Sequence, residues 1–287
     1  MAADLFGNWM ARIGCCMQIE LIGCTSAGKS TLSRRILHAC HERGIDILLG
    51  DDFVLKQVRL NWIKNHFLRK LLIDLAALFA CLLTWRRNAK FYRFATRRLL
   101  WLPIALFEKI NCLRIALKKI GVFEIIRFRS ANQQVILVDE GVLQAAHNLF
   151  VFVAVNIKTE HLPTFVGLVP LPDVLVYLKQ PEGLLIDRTM KRGHKRIPDS
   201  SYGKAARFVK QAVATFDKLV QHPEVEKKLF VVGGGENVIN ATNDKDDPLV
   251  GLFLKIIERG CINNINDSPN GSKLAPGGLN VTHSDIS

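Results

Sequence analysis

Five short runs of apolar residues recur along the chain, and runs of this kind predict strands buried in a sheet. They span residues 17–22, 45–49, 135–138, 174–178 and 229–232. Helical periodicity lies between them, and residues 150–155 fit either a helix or a further strand. Strands that alternate with helices predict an α/β fold, a doubly wound parallel sheet of about five strands with helices on both faces.

The stretch from residue 54 to residue 130 does not follow this alternation. It has few glycines and a helical pattern throughout, so it predicts an inserted helical subdomain. Residues 71–85 are almost entirely apolar, but this run is short for a membrane span. The chain therefore divides into one domain over residues 1–260, which contains the insert, and a tail over residues 261–287 whose polar composition predicts disorder.

Charge sets the insert apart from the rest of the chain. The 287 residues carry a formal net charge of +13. Residues 54–130 hold 17 Lys and Arg against three acids, so this basic insert accounts for the whole surplus. Such a segment predicts an anionic partner, which leaves open a phosphorylated small molecule, a membrane surface or nucleic acid.

The cysteines indicate the redox setting of the chain. There are seven, an odd number, and their spacing matches no metal site. They predict free thiols in a reducing, cytoplasmic compartment, and the first 14 residues show no signal-peptide pattern.

A phosphate-binding motif lies between the first predicted strand and the first predicted helix. Residues 23–30 read Gly-Cys-Thr-Ser-Ala-Gly-Lys-Ser and fit G-x-x-x-x-G-K-[ST]. Backbone N–H groups of such a loop, together with the positive end of the following helix, cradle the phosphates of ATP. We expect Lys29 to reach the β- and γ-phosphates and the Ser30 hydroxyl to bind Mg²⁺. The expected nucleotide-binding residues are Gly23, Thr25, Ser26, Ala27, Gly28, Lys29, Ser30 and Thr31.

Acidic residues follow two further predicted strands. Asp139 and Glu140 close the third strand, where a carboxylate can hold Mg²⁺ directly or through water. Asp51 and Asp52 follow the second strand, at the sheet edge where ligands bind. Either of the latter two is a candidate base for a substrate hydroxyl that attacks the γ-phosphate. The sequence does not choose within either pair.

A basic helix follows the fourth predicted strand. Arg188 and Arg192 are four residues apart and therefore share one face of that helix. Cations there predict a lid that closes over ATP and stabilises charge in the transition state. The glycines at residues 233–235 fit either an adenine contact or a plain turn.

Together these motifs resemble the P-loop kinases, the group that includes nucleoside kinases, thymidylate kinases and other nucleoside monophosphate kinases. The resemblance covers residues 18–53 and 135–237 and implies a five-stranded parallel sheet and the use of Mg-ATP. Asp51-Asp52-Phe53 is similar to the strand-end motif of uridine and nicotinamide riboside kinases, which implies that Asp51 is the base. The segment from Arg188 to His194 resembles the lid of thymidylate kinases, which implies that Arg188 and Arg192 touch the ATP phosphates.

The acceptor side departs from that family, because thymidylate kinases carry an Asp-Arg pair where this chain has Asp139 followed by Glu140. We therefore expect a small-molecule kinase whose acceptor is anionic, with nucleoside, nucleotide, sugar and lipid-linked acceptors all open. Peripheral membrane contact through residues 62–101 and a homodimer also stay open. The alternative is a P-loop NTPase in which Glu140 activates water. Nucleic-acid binding is disfavoured because no recognised motif supports it.

Overall fold

The computed structural model describes residues 17–129, 134–153, 159–193, 197, 201–233, 251 and 253. The tail predicted at residues 261–287, His194 and the glycines after Gly233 lie outside the described residues.

A five-stranded parallel sheet forms the centre of the protein, as the alternating pattern predicts. Its strands are β1 Met17–Ile22, β2 Ile47–Leu49, β3 Val135–Val138, β4 Val174–Lys179 and β5 Leu229–Gly233. Their order is β2-β3-β1-β4-β5, and every neighbouring pair is parallel. The carboxyl ends of the strands therefore meet at one edge, with β1 in the middle.

Helices surround the sheet and fill the long connection between β2 and β3. Four α-helices make up most of the described part of this connection, and turns or coil separate them at residues 58–65, at residue 84 and at residues 101–105. Of residues 150–155, which fit either a helix or a further strand, Phe150 ends a helix, residues 151–153 belong to neither, and residues 154 and 155 are not described. The α-helices of the described residues are α1 Lys29–Glu42, α2 Gly50–Gln57, α3 His66–Leu83, α4 Trp85–Leu100, α5 Leu106–Arg129, α6 Ala145–Phe150, α7 Leu162–Leu168, α8 Glu182–Arg192, α9 Tyr202–Val220 and α10 Pro223–Glu226.

Close backbone packing holds helices α3 and α5 together. Asn65 caps α3, because its side chain accepts hydrogen bonds from the backbone N–H groups of Phe67 and Leu68. A Cβ at Gly121 of α5 would overlap the Ala77 carbonyl of α3, so only glycine allows this approach. None of the helices in the described part of the chain is long and apolar enough to cross a membrane.

The hydrophobic core runs from the sheet into the helical connection. Phe91 of α4 packs edge-to-face on Phe165 of α7 with ring centroids 6.2 Å apart, and Phe150 packs on the same ring at 5.9 Å. All three rings are buried in one cluster with the side chains of β1 and β4. The helical connection thus shares its core with the sheet that carries the loop after β1.

Candidate nucleotide-binding site

The loop after β1 has the backbone geometry that its glycines allow. Gly23 has φ of +148°, and a Cβ there would lie 2.8 Å from the Leu178 carbonyl oxygen. Gly28 is left-handed with φ of 97°, and α1 begins at the next residue. Both positions favour glycine for steric reasons. The first N–H groups of α1 therefore point towards the loop, as anion binding requires.

Lys29 is held against this loop by its own backbone. Its buried ammonium Nζ donates to the carbonyl oxygens of Gly23 at 3.1 Å and Cys24 at 3.0 Å. Nζ also lies 4.0 Å from Oε1 of Glu140. The positive charge therefore lies between the loop and the carboxyl end of β3.

Ser30 and Asp139, both expected at a metal site, are in direct contact. Ser30 Oγ donates to Asp139 Oδ2 at 2.7 Å, while Asp139 Oδ1 is buried without a hydrogen-bond partner. An orphaned carboxylate oxygen beside a hydroxyl suits a hard cation. The described residues contain no group of three or more His, Cys, Asp and Glu that could hold a metal ion. Mg²⁺, which is usually bound by one or two carboxylates together with substrate phosphates, fits this donor set.

Glu140 presents a charged carboxylate next to Lys29. Desolvation raises the pKa of Glu140, but attraction to Lys119 and Lys29 outweighs it and leaves the pKa below its usual range. Lys119 is buried, its Nζ donates to the Glu140 carbonyl at 3.0 Å, and it lies 3.6 Å from Oε2 of the same residue. Burial lowers the pKa of Lys119. The Glu140 side chain itself is 59% exposed and can meet a ligand.

Sequence reasoning missed a buried polar layer beneath the loop. Glu20 of β1 is fully buried, and its Oε1 accepts from the backbone N–H of Gln144 at 3.0 Å. The Gln144 side chain in turn brackets Gly23, accepting from its N–H at 3.2 Å and donating to its carbonyl at 3.0 Å. Burial raises the pKa of Glu20 to about 7. The available signal was the pair of polar residues, Gln18 and Glu20, inside the apolar run of a central strand.

Most of the residues predicted to bind the nucleotide line an open cleft of about 930 Å³. Residues 25–31 of the loop form one side, together with Glu140, and Arg188 and Arg192 of α8 also line it. Thr189 Oγ1 donates to Ser26 Oγ at 3.3 Å and so ties α8 to the loop. The remaining lining comes from α5, α6 and their surroundings, including Phe107, Glu108, Asn111, Ile115, Gln144, His147, Asn148 and Gly193.

Asp51 and Asp52 are not among the residues that line this cleft. Both lie in the first turn of α2, directly after β2. The Asp52 carboxylate is paired with the Arg69 guanidinium, so one predicted base is already engaged. The Asp51 carboxylate is 55% exposed and lies 3.8 Å from Lys118 Nζ, which is a looser contact.

Comparison with known proteins gives similarity in structure only. No protein-family model and no curated protein sequence matches the chain. It is similar to deoxyadenosine kinase from M. mycoides, with 15% identity, a TM-score of 0.43, and coverage of 85% of this chain and 100% of that one. It is also similar to shikimate kinase from Acinetobacter baumannii, with 12% identity, a TM-score of 0.40, and coverage of 87% and 98%. At these identities and TM-scores the likenesses carry no argument about activity or substrate.

Proposed function

We propose that the protein transfers the γ-phosphate of Mg-ATP to a small-molecule acceptor. The observation that carries this proposal is the 2.7 Å hydrogen bond from Ser30 to Asp139, beside a carboxylate oxygen that has no other partner. It joins the hydroxyl of the phosphate loop to the acid at the end of β3. These are the two protein ligands that Mg²⁺ takes when it also binds nucleotide phosphates.

Each remaining group on the nucleotide side has an electrostatic role. Backbone N–H groups of the loop and Lys29 would hold the phosphates, and bound Mg²⁺ would neutralise charge that develops on them. Arg188 and Arg192 lie on α8, which also lines the cleft, and would stabilise the γ-phosphoryl group during transfer. Phosphoryl transfer depends mainly on positioning and charge, so this arrangement supports the proposed reaction.

The opposite wall suggests how an acceptor is recognised. Phe107 offers an aromatic ring, and Glu108, Asn111 and Asn148 offer hydrogen-bonding groups. The Lys and Arg residues found in the described lining are Lys29, Arg188 and Arg192, which all belong to the nucleotide side. These features favour a hydroxyl-bearing acceptor with a flat or apolar part, a nucleoside or a sugar, over the anionic acceptor expected from the charge of the insert.

Asp51 and Asp52 are the two candidates for the base that accepts the proton of the acceptor hydroxyl. We assign the acceptor proton to Asp51, because Arg69 engages Asp52 while Asp51 stays exposed at the carboxyl end of β2. In this assignment the acceptor reaches from the cleft towards α2.

Glu140 lines the cleft beside Lys29. This position favours the second candidate function, an NTPase in which Glu140 activates water.

Four single substitutions test the proposal in a coupled assay of ADP formation. Lys29→Ala should abolish turnover. Asp51→Asn should lower kcat roughly 10²-fold while sparing the Kd for Mg-ATP, in line with the loss of a general base. Asp52→Asn is the matched control, with the same chemistry one residue away.

Glu140→Gln separates the two functions. If Glu140→Gln removes an acceptor-independent ATP hydrolysis that Asp51→Asn leaves intact, the protein is an NTPase. Full turnover by Lys29→Ala would contradict both functions.

A further inference from the structure

Helix α3 carries its large apolar side chains on the outside. The residues it buries are mostly small and include Ala77, Ala80 and Cys81, alongside Ile73. A water-facing helix normally has the reverse arrangement, with large apolar residues inside and polar residues outside. Eight large apolar side chains of α3 are between 42% and 76% exposed, and we call them the α3 face: Phe67, Leu68, Leu71, Leu75, Leu78, Phe79, Leu82 and Leu83.

The α3 face is one continuous stripe. Residues 67, 71, 75, 78 and 82 follow each other at spacings of three or four, so they align along the length of the helix. Exposed Trp62 and Trp85 flank the two ends of the stripe. Contiguous apolar surface of this extent is rare on monomeric proteins unless something covers it. Tryptophan at both ends is typical of a boundary between apolar and aqueous surroundings.

The surface around the α3 face is positively charged. The acids of the insert are occupied elsewhere, since Asp74 is bonded to Arg114, Glu124 is buried against Asn88 and Arg87, and Glu108 lines the cleft. The exposed cations near the two ends of α3, apart from Arg87, are Arg59, Lys64, Lys70, Arg86 and Lys90. None of these five residues lines the nucleotide cleft, so the proposed reaction leaves their charge unexplained.

We propose that the α3 face docks on an anionic lipid bilayer, with its leucines and phenylalanines in the boundary between headgroups and acyl chains. Apolar burial together with attraction of the flanking Lys and Arg to acidic headgroups is the physical basis of such binding. A second copy of the chain is the less suitable occupant. A two-fold interface would bring the same cations of both copies together, and Asp74, the one acid within α3, is already paired with Arg114.

Vesicle co-sedimentation of the full chain tests this docking. The wild type should bind vesicles of phosphatidylcholine mixed with phosphatidylserine, bind phosphatidylcholine alone more weakly, and be released by salt. Leu75→Glu combined with Leu82→Glu should weaken binding roughly 10-fold or more, because both side chains would otherwise be buried in lipid. Lys64→Ala and Lys70→Ala should each weaken binding to the mixed vesicles roughly fivefold.

Tyr202→Glu is the matched control, because Tyr202 is an exposed large side chain at the start of α9 and outside the α3 face. It should bind vesicles like the wild type. Thermal unfolding checks the fold of each variant, and the paired leucine variant should unfold near the temperature of the wild type because both side chains are exposed. Equal sedimentation with and without vesicles, or binding that the paired leucine variant keeps, would overturn the proposal. A wild-type dimer that the same variant dissociates would instead assign the α3 face to a second copy.

Discussion

The buried carboxyl of Glu20 allows the effect of one substitution, Glu20→Gln, on the free energy of unfolding to be worked out. Burial raises the pKa of this carboxyl from 4.5 to about 7, and the loop after β3 leaves its Oε2 without a hydrogen-bond partner. At about 1.4 kcal/mol for each unit of pKa, the ionised form costs the folded chain about 3 kcal/mol. Glu20→Gln keeps the shape and removes the charge, so the variant should be more stable than the wild type at neutral pH.

The direction of the pH dependence follows from proton linkage. Below pH 4.5 Glu20 is protonated in both the folded and the unfolded chain, and it contributes no charge penalty. Between 4.5 and about 7 the folded chain holds the proton that the unfolded chain has lost, so stability falls as pH rises. Above about 7 the full penalty is present.

Urea unfolding of both proteins across this range measures the effect. The free energy of unfolding of Glu20→Gln minus that of the wild type should grow by about 3 kcal/mol between acidic and mildly alkaline pH. The other titrating groups are the same in both proteins, so their contributions cancel in this difference. Glu42→Gln, at an exposed residue at the end of α1, should show no such growth. A difference for Glu20→Gln that stays constant with pH would refute the reasoning.

Three further predictions concern packing, the loop and its thiol. Gly121→Ala places a Cβ against the Ala77 carbonyl and should lower the free energy of unfolding by about 1–3 kcal/mol or more, measured in urea. Gln144→Ala removes both hydrogen bonds to Gly23 and should cost about 1–3 kcal/mol and weaken ATP binding, measured by calorimetry. Burial raises the pKa of Cys24 to about 12, so a thiol reagent at mildly alkaline pH should label it only after unfolding, as peptide mass spectrometry would show.

The strand pattern was enough to predict the sheet. The apolar runs at residues 17–22 and 135–138 coincide with β1 and β3, because strands of a parallel sheet are covered on both faces and are therefore mostly apolar. The second run is shorter in the structure, where Ile45 and Asp46 precede β2. The helical periodicity predicted between the fourth and fifth strands also matches α8 and α9, whose apolar residues recur at helical spacing.

The candidate site could be predicted where a short sequence motif by itself fixes the backbone conformation. The glycine pattern of the loop implies the positive φ of Gly28 and the placement of Lys29 and Ser30. The contact of Ser30 with Asp139 follows from the parallel pairing of β1 with β3, which brings the ends of both strands together.

The other side of the cleft was not predictable in this way. Its residues Phe107, Asn111 and Ile115 come from α5, whose position over the loop depends on tertiary packing of the insert. Glu20 was also missed, because its place in an apolar run indicates burial but does not show that its hydrogen-bond partner, the backbone N–H of Gln144, comes from the segment after β3. The pairing of Asp52 with Arg69 likewise depends on how α2 and α3 meet.

The most direct test of phosphoryl transfer is ADP release from Mg-ATP by the purified protein in the presence of nucleosides, nucleotides, sugars and lipid-linked phosphates. We predict release that depends on one class of hydroxyl-bearing acceptor and that disappears in Lys29→Ala. Steady ADP release that no acceptor changes would contradict the transferase and favour hydrolysis with Glu140 as the residue that activates water.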